Sequence, residues 1–254
     1  MGKKGGSRHL KREAAPGFWP VHRKEFTWAI KPSPGPHPVH QSIPLAIVVR
    51  EILGLAKTRQ EAKKIISQGE ILVDGKARRD EHFPAGLMDV ISIPKLGTNY
   101  RILPSEKGLS LHPISEEEAK SKICRIEGKK YLKHGHVQID LHDGRSILTH
   151  VEDPQSPAED VYQTLDTLRI TIPGQEILEH LKLGNEMLAL LVDGVNRSKY
   201  GTITSIAEQA GQKRRGFLVA IKDANGGTFQ TVLDYAFLVG DRAPRISLPR
   251  IGGH

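Results

Sequence analysis

The chain has one cysteine, Cys124, in 254 residues. That excludes an internal disulfide and any cysteine-rich zinc site. It fits a reducing cytoplasm, where a lone thiol is most simply a small buried hydrophobe. No apolar run approaches the roughly 18 residues that a membrane helix needs. The opening "MGKKGGSRHLKRE" lacks the apolar stretch of a secretion signal, and Gly6 stands where a myristoylation site wants Ser or Thr. Glycine loops that cradle phosphates are missing too: there is no Walker sequence and no G-x-G-x-x-G after a strand.

Positive charge is abundant and unevenly spread. Residues 1–40 carry eight Lys/Arg against two acids, and residues 41–95 carry nine against seven. Residues 96–175 are net −2, residues 176–240 neutral, and the last fourteen residues +2, which together give the overall +8. Basic extensions on a neutral body suit a surrounding polyanion, with nucleic acid the usual candidate. An anionic membrane is the weaker alternative, because "KPSPGPHPVH" cannot form an amphipathic helix.

Residues 1–42 hold Pro16, Pro20, Pro32, Pro34, Pro36 and Pro38 among Gly, Trp and basic residues. This composition predicts an irregular basic arm with little core of its own, at least partly mobile until RNA orders it. Lys3, Lys4, Arg8, Lys11, Arg12, Arg23 and Lys24 are its candidate RNA contacts. Phe18, Trp19, Phe26 and Trp28 have two roles open to them: stacking on nucleobases, or pinning the arm to the body. The second is the reading preferred here.

From Ser42 the pattern turns helical. Leu45, Val48, Val49, Ile52 and Leu53 follow i, i+3, i+4, i+7, i+8 spacing between Pro44 and Gly54, which predicts one amphipathic helix of about ten residues. Thr58 and Glu61 form a T-x-x-E capping box that opens a second helix, with Ala62, Ile65 and Ile66 inward and Gly69 as its stop. Arg59, Lys63 and Lys64 then lie on its outer side. "EILVDGKARRD" puts Ile71 and Val73 inward, turns tightly at Asp74-Gly75, and returns with Arg78 and Arg79 exposed; "MDVISIP" supplies a closing strand.

Residues 96–175 give short strands and one short helix, marked by Ser115 and Glu118 in "SEEEAKSKICRI". Hairpin cues follow at "EGKK", "KHGH" and "HDGR". His134 and His136 fall at i and i+2 on a predicted strand face, but nothing at ligand spacing completes a metal site, and none is expected. The last module begins at "IPGQEILEHLKLGNE". "MLALLVDG", "YGTITSI", "GFLVAIKD" and "TFQTVLDYAFLVG" then read as four strands of a small closed barrel.

Two short helices, a basic second helix, the "ILVDGK" hairpin and the "DVISI" strand resemble the small RNA-binding domain of ribosomal S-four proteins. That resemblance implies that Arg59, Lys63, Lys64, Arg78 and Arg79 grip phosphates. "GVNRSKYGTITSI" resembles the KOW motif of SH3-like barrels, with Arg197, Lys199 and Gly201 as RNA contacts. A glycine at 201 would allow a positive φ and close approach of RNA; Ser198 stands where the motif usually has a glycine. The whole order, with "SRHLKREAAPGFWPV" and "KPSPGPHPVHQSIPL" in front, resembles the archaeal and eukaryotic small-subunit ribosomal family S-four-e.

The resemblance implies an α+β, multidomain, mostly β chain. Its expected parts are a basic Pro/Gly-rich N-terminal arm (1–42), a two-helix plus β-hairpin RNA-binding domain (43–95) and a β-rich central domain (96–175). An SH3-like KOW β-barrel (176–240) and a basic C-terminal tail (241–254) complete it. It implies a structural protein of the cytoplasmic ribosome, with small-subunit rRNA and neighbouring ribosomal proteins as partners and neither cofactor, small-molecule substrate nor membrane. Compact length gives an archaeal flavour. Two other classes compete: a free RNA-binding regulator and an RNA-modifying enzyme such as a pseudouridine synthase. The enzyme should carry a G-R-L-D stretch, which is absent; "HDGRS" puts Asp143 before the Gly-Arg pair, and Asp140 and Asp143 read as hairpin residues.

Overall fold

The computed structural model describes residues 7–151, 161–208, 213–223 and 226–249. Lys3, Lys4 and Arg250 lie outside them. The chain forms two compact units, residues 1–103 with 107–113 and residues 104–106 with 114–254. Both are built mostly of strands.

In the first unit, β1 (Leu10–Lys11) pairs antiparallel with β2 (Trp28–Ala29), placing Lys11 opposite Trp28. This segment is not the coreless arm that its prolines predict. Ala15, Trp19 and Ile30 are buried in the same hydrophobic core as the residues that follow Ser42. The Trp19 indole N–H donates to the Ser42 carbonyl at 2.8 Å, and Ser33 N donates to the His82 carbonyl at 2.8 Å. Proline-rich backbone has few amide donors of its own, so fitted side chains fasten it alongside the backbone bonds that remain.

Strand β3 (Ser42–Pro44) leads into α1 (Leu45–Ile47), which continues as a π-helical turn over Val48–Ile52. The bond Leu53 N to Val48 O, 2.9 Å, closes that wider turn. The amphipathic helix expected here is corrected on two counts. Its bond spacing changes midway, and Leu45 through Val49 are buried all round, at most 1% exposed. The arm contributes to the core around it, and the polar side is reduced to Arg50 and Glu51, half-buried and paired with each other.

Helix α2 (Arg59–Ser67) forms as its capping box dictates. Glu61 N donates to Thr58 Oγ1 at 3.2 Å, while Glu61 Oε2 accepts from Thr58 N at 3.2 Å and Lys57 N at 2.8 Å. Those backbone donors hold the Glu61 carboxyl below its ordinary value. Ala62 and Ile66 are buried, and Gly69 ends the helix at φ 77°. Strands β4 (Leu72–Val73) and β5 (Lys76–Ala77) are joined by Asp74 and Gly75, both at positive φ (51° and 72°), as a tight primed turn requires. Strand β6 (Pro84–Gly86) pairs with β3; β7 (Val90–Ile93), β8 (Thr98–Ser105) and β9 (Gly108–Ile114) complete a sheet of order β5-β4-β7-β8-β9.

The second unit holds two five-stranded antiparallel sheets. Strands β10 (Ser121–Tyr131), β11 (Val137–Leu141), β12 (Ser146–Thr149), β13 (Thr167–Thr171) and β14 (Ile177–Leu181) run in the order β12-β11-β10-β13-β14. The Ser115 hydroxyl does accept Glu118 N at 3.3 Å, yet only a 3-10 turn, Glu118–Lys120, follows, because Ser121 onward is claimed by pairing with β13. "EGKK" contains a bulge inside β10 at Glu127, between the Ile126 and Gly128 pairings, not a turn. "KHGH" and "HDGR" are the turns on either side of β11. His134 and His136 sit in the first of these, not on a strand face, and their rings are 6.3 Å apart. The segment "EILEHL", read as the opening of the last module, pairs as β14 with β13 in this central sheet.

Strands β15 (Leu188–Leu191), β16 (Tyr200–Ala207), β17 (Leu218–Asp223), β18 (Thr228–Val232) and β19 (Ala236–Gly240) form the other sheet, ordered β18-β17-β16-β15-β19. "TFQTVLDYAFLVG" is thus two strands. A 3-10 turn at Leu233–Tyr235, with Leu233 buried, redirects the chain so that β19 returns beside β15. Arg125 and Arg215 tie the two sheets together. Both guanidinium groups lie 2.7 Å from Glu127 carboxylate oxygens, and Arg125 Nη1 donates to the Asp234 carbonyl at 2.5 Å. Burial alone would raise the Glu127 carboxyl, but the two arginines outweigh it and hold it low.

Candidate nucleic-acid interface

In the first unit, residues 78–82 run beside α2, and this brings the predicted cations together. At the start of the helix Arg59 donates to the buried Glu81 carboxylate through Nε (3.2 Å) and Nη2 (2.9 Å), and Lys63 Nζ lies 3.9 Å from the same group. At its end the Arg79 Nε passes 3.4 Å from where a side chain at Gly69 would begin. Lys63, Lys64 and Arg79 are exposed, so the outer side of α2 and the adjoining segment 78–82 carry cations side by side.

The five cations are not equivalent there. Hydrogen bonding to Glu81 raises the Arg59 guanidinium above its ordinary value, keeping it charged and fixed in orientation. Arg78, expected to be exposed, is half-buried: its guanidinium lies 4.4 Å from the Phe83 ring centroid. Lys64 and Arg79 are exposed to solvent. Glu81 carries no local signal of this part in the sequence. Its role depends on a meeting across 22 residues, which no local spacing announces.

On the arm, Arg8, Lys11, Arg23 and Lys24 are exposed. Arg12 is not: it is 5% exposed, with Nη1 on the His22 carbonyl (2.7 Å) and Nε on the Trp28 carbonyl (3.3 Å). It organises the arm from inside. Arg23 donates to the carbonyls of Glu13 (2.6 Å) and Ala15 (3.2 Å).

In the second unit, Arg197 pairs with Asp193, and Lys199 Nζ donates to Asn196 Oδ1 at 3.0 Å. The positive φ expected of Gly201 belongs instead to Ser198 (68°) and Gly194 (85°). Gly201 is buried in β16, where an added Cβ would lie 2.3 Å from the Lys222 carbonyl oxygen. Its small size serves strand-to-strand packing. The basic run Lys213-Arg214-Arg215 was not singled out in the sequence, although three cations beside a glycine are a visible signal. Lys213 is exposed, while Arg215 is engaged with Glu127.

Among the described residues, the donor atoms of Cys124, His142 and Asp143 alone come together closely enough to suggest a metal. The Asp143 carboxylate already has cations on it: Lys122 Nζ at 2.9 Å, fully buried, and Arg145 Nε at 3.2 Å. Asp143 is therefore more than a hairpin residue; it is the acid of a buried ion pair.

Residues 96–177 match the profile described as Ribosomal family S4e, residues 4–40 the RS4NT (NUC023) domain, and residues 43–91 the S4 domain. The small ribosomal subunit protein eS4 of Aeropyrum pernix is 52% identical over 98% of both chains. That of Methanocaldococcus jannaschii is 44% identical over 98% of this chain and all of its own. The crystal structure of the 30S ribosomal protein S4e from Thermoplasma acidophilum superposes with a TM-score of 0.65 at 28% identity, covering 79% of this chain and 96% of that one. With near full-length identity to its relatives and three domain profiles along its length, the chain belongs to the ribosomal protein family S4e.

Proposed function

We propose that the chain is a structural constituent of the small ribosomal subunit in the cytoplasm, where it binds small-subunit rRNA and touches neighbouring ribosomal proteins. The observation that carries this is the cationic surface of α2 and residues 78–82, which lies within the S4 domain. Lys63, Lys64 and Arg79 take phosphates there, and Glu81 holds Arg59 in position beside them. The last sheet is an SH3-like, KOW-type module whose Asn196–Lys199 turn offers Arg197 and Lys199 to RNA. The parts act in the order arm, RNA-binding domain, central sheet, KOW module and tail. The family is one of ribosomal structural proteins, not of enzymes.

The experiment is an alanine series in the full chain, read as affinity for small-subunit rRNA against salt. Lys64→Ala and Arg79→Ala should each lower the salt slope by about one unit, since each removes about one released counterion. Arg59→Ala should also lower stability, because it leaves buried Glu81 without its bidentate partner. Unchanged slopes for both Lys64→Ala and Arg79→Ala, or failure of the protein to sediment with small subunits through a high-salt wash, would count against the proposal.

A further inference from the structure

The four aromatic rings of the arm divide into two pairs. Trp19 is 4% exposed, and Phe18 fills the space where a side chain at Gly108 would lie. These two fasten the arm. Phe26 and Trp28 face outward, 67% and 56% exposed. Their exposure is not required by the fold.

Phe26 forms one wall of a cleft of about 590 Å³ whose other walls include Lys11, Glu13, Arg23, Lys24 and Glu25. Three groups of this cleft are fixed by neighbours. The Arg12 guanidinium backs the Phe26 ring at 4.9 Å and faces Glu25 at 3.6 Å, and Arg23 is held by two backbone carbonyls. The ammonium groups of Lys11 and Lys24 have no hydrogen-bond or ion-pair partner among the described residues. The cleft therefore combines an exposed aromatic ring, backed by Arg12, with two uncommitted cations among its lining residues.

We infer that this cleft seats one unpaired nucleotide of RNA, its base stacked on Phe26 and its phosphate held by Lys11 and Lys24. A base inside a duplex has both faces covered by its neighbours, so only an unpaired one can use the ring. A protein partner fits less well, because the centre of a protein interface is depleted of charge, and here the aromatic wall is ringed by ionic groups. The inference rests on the RNA-binding reading above and adds a second, separate contact to it.

Trp28, two residues from Phe26, supplies a local reporter, since the only other tryptophan, Trp19, is buried. A short single-stranded oligouridylate titrated into the full chain should quench tryptophan emission, and a duplex RNA should not. Phe26→Ala should weaken the quench midpoint about 5- to 150-fold, the range that stacking of one base is worth. Phe26→Tyr should retain it. Phe26 is exposed, so these variants fold. Loss of Lys11 and Lys24 together should flatten the salt dependence of the quench. Three outcomes overturn the inference: Phe26→Ala binding as wild type, equal quenching by duplex, or Phe26→Leu binding as wild type, which would show that no aromatic face takes part. If Phe26→Ala changes nothing while Arg79→Ala still lowers the rRNA salt slope, the cleft is wrong and the reading on which it rests stands.

Discussion

The His37 imidazole and the Asp89 carboxylate meet in the interior of the first unit, Nε2 to Oδ1 at 3.1 Å, with both side chains at most 3% exposed. The other carboxylate oxygen accepts the Gly86 amide at 2.9 Å. Only a glycine fits at 86: an added Cβ would lie 2.3 Å from the His37 ring. One side chain of the arm is thereby seated in a socket made by β6 and the residues that follow it.

Gly86→Ala should force His37 out of that socket and destabilise the chain by about 1–3 kcal/mol, the usual cost of overpacking. His37→Ala should cost a similar amount through the lost buried hydrogen bond, about 1–3 kcal/mol. Urea midpoints would measure both. Midpoints equal to wild type would mean that the socket carries no energy.

Limited proteolysis tests the arm directly. Its composition predicts that trypsin clips it from the free protein. Its contacts predict the opposite for the described residues: cleavage at Arg12, Arg23 and Lys24 should be slow in the free protein and as slow within a small subunit. His37→Ala should speed cleavage at those sites, because local opening sets access when reclosure is fast. Rapid loss of the arm from wild-type protein would restore the composition-based expectation.

Acid should weaken the second unit through Asp143. Burial pushes its carboxyl up, but Lys122, then His142 and Arg145, bring it down to about 2 from 3.8. A depressed carboxyl contributes stability that is complete above its unfolded value and disappears as pH falls through its folded one. The contribution of about 2 kcal/mol should therefore vanish between about pH 4 and about pH 2. Asp143→Asn should be the less stable protein at neutral pH and should converge on wild type in acid. Parallel pH curves for the two would exclude this role for the carboxylate.

Gly201→Ala separates packing from recognition. Contact with the Lys222 carbonyl should push β16 from β17 and lower the melting temperature, with a cost of about 1–3 kcal/mol. RNA affinity per folded molecule should be unchanged. A variant that melts normally yet binds RNA weakly would show that the glycine serves close approach of RNA, as the sequence alone suggested.

Legibility followed the range of the interactions. The Thr58 and Glu61 box and the Asp74-Gly75 turn are complete within a few residues, so spacing alone predicts α2 and the first hairpin. The cations of α2 were also readable, because helix periodicity separates Lys63 and Lys64 from Ala62 and Ile66. What failed was non-local. The polar side expected of the first helix is cut down to Arg50 and Glu51, because Ala15, Trp19 and Ile30 arrive from far upstream to share its core. The fourth long strand of the last sheet breaks at Leu233, whose amide is claimed by the Phe217 carbonyl sixteen residues earlier. Arg12 and Arg78 counted as free cations in the sequence, and only the fold reveals the carbonyls and the ring that hold them.

The seating of the arm also bears on the order of events during synthesis. Phe18 packs against Gly108, and His37 bonds to Asp89, so the segment made first cannot complete its native contacts until about a hundred residues have left the ribosome. In that interval its lysines and arginines are an uncompensated polycation among cellular RNA. The beginning of this chain is born early and folds late, and a carrier that shields it while it is nascent would act before any rRNA does.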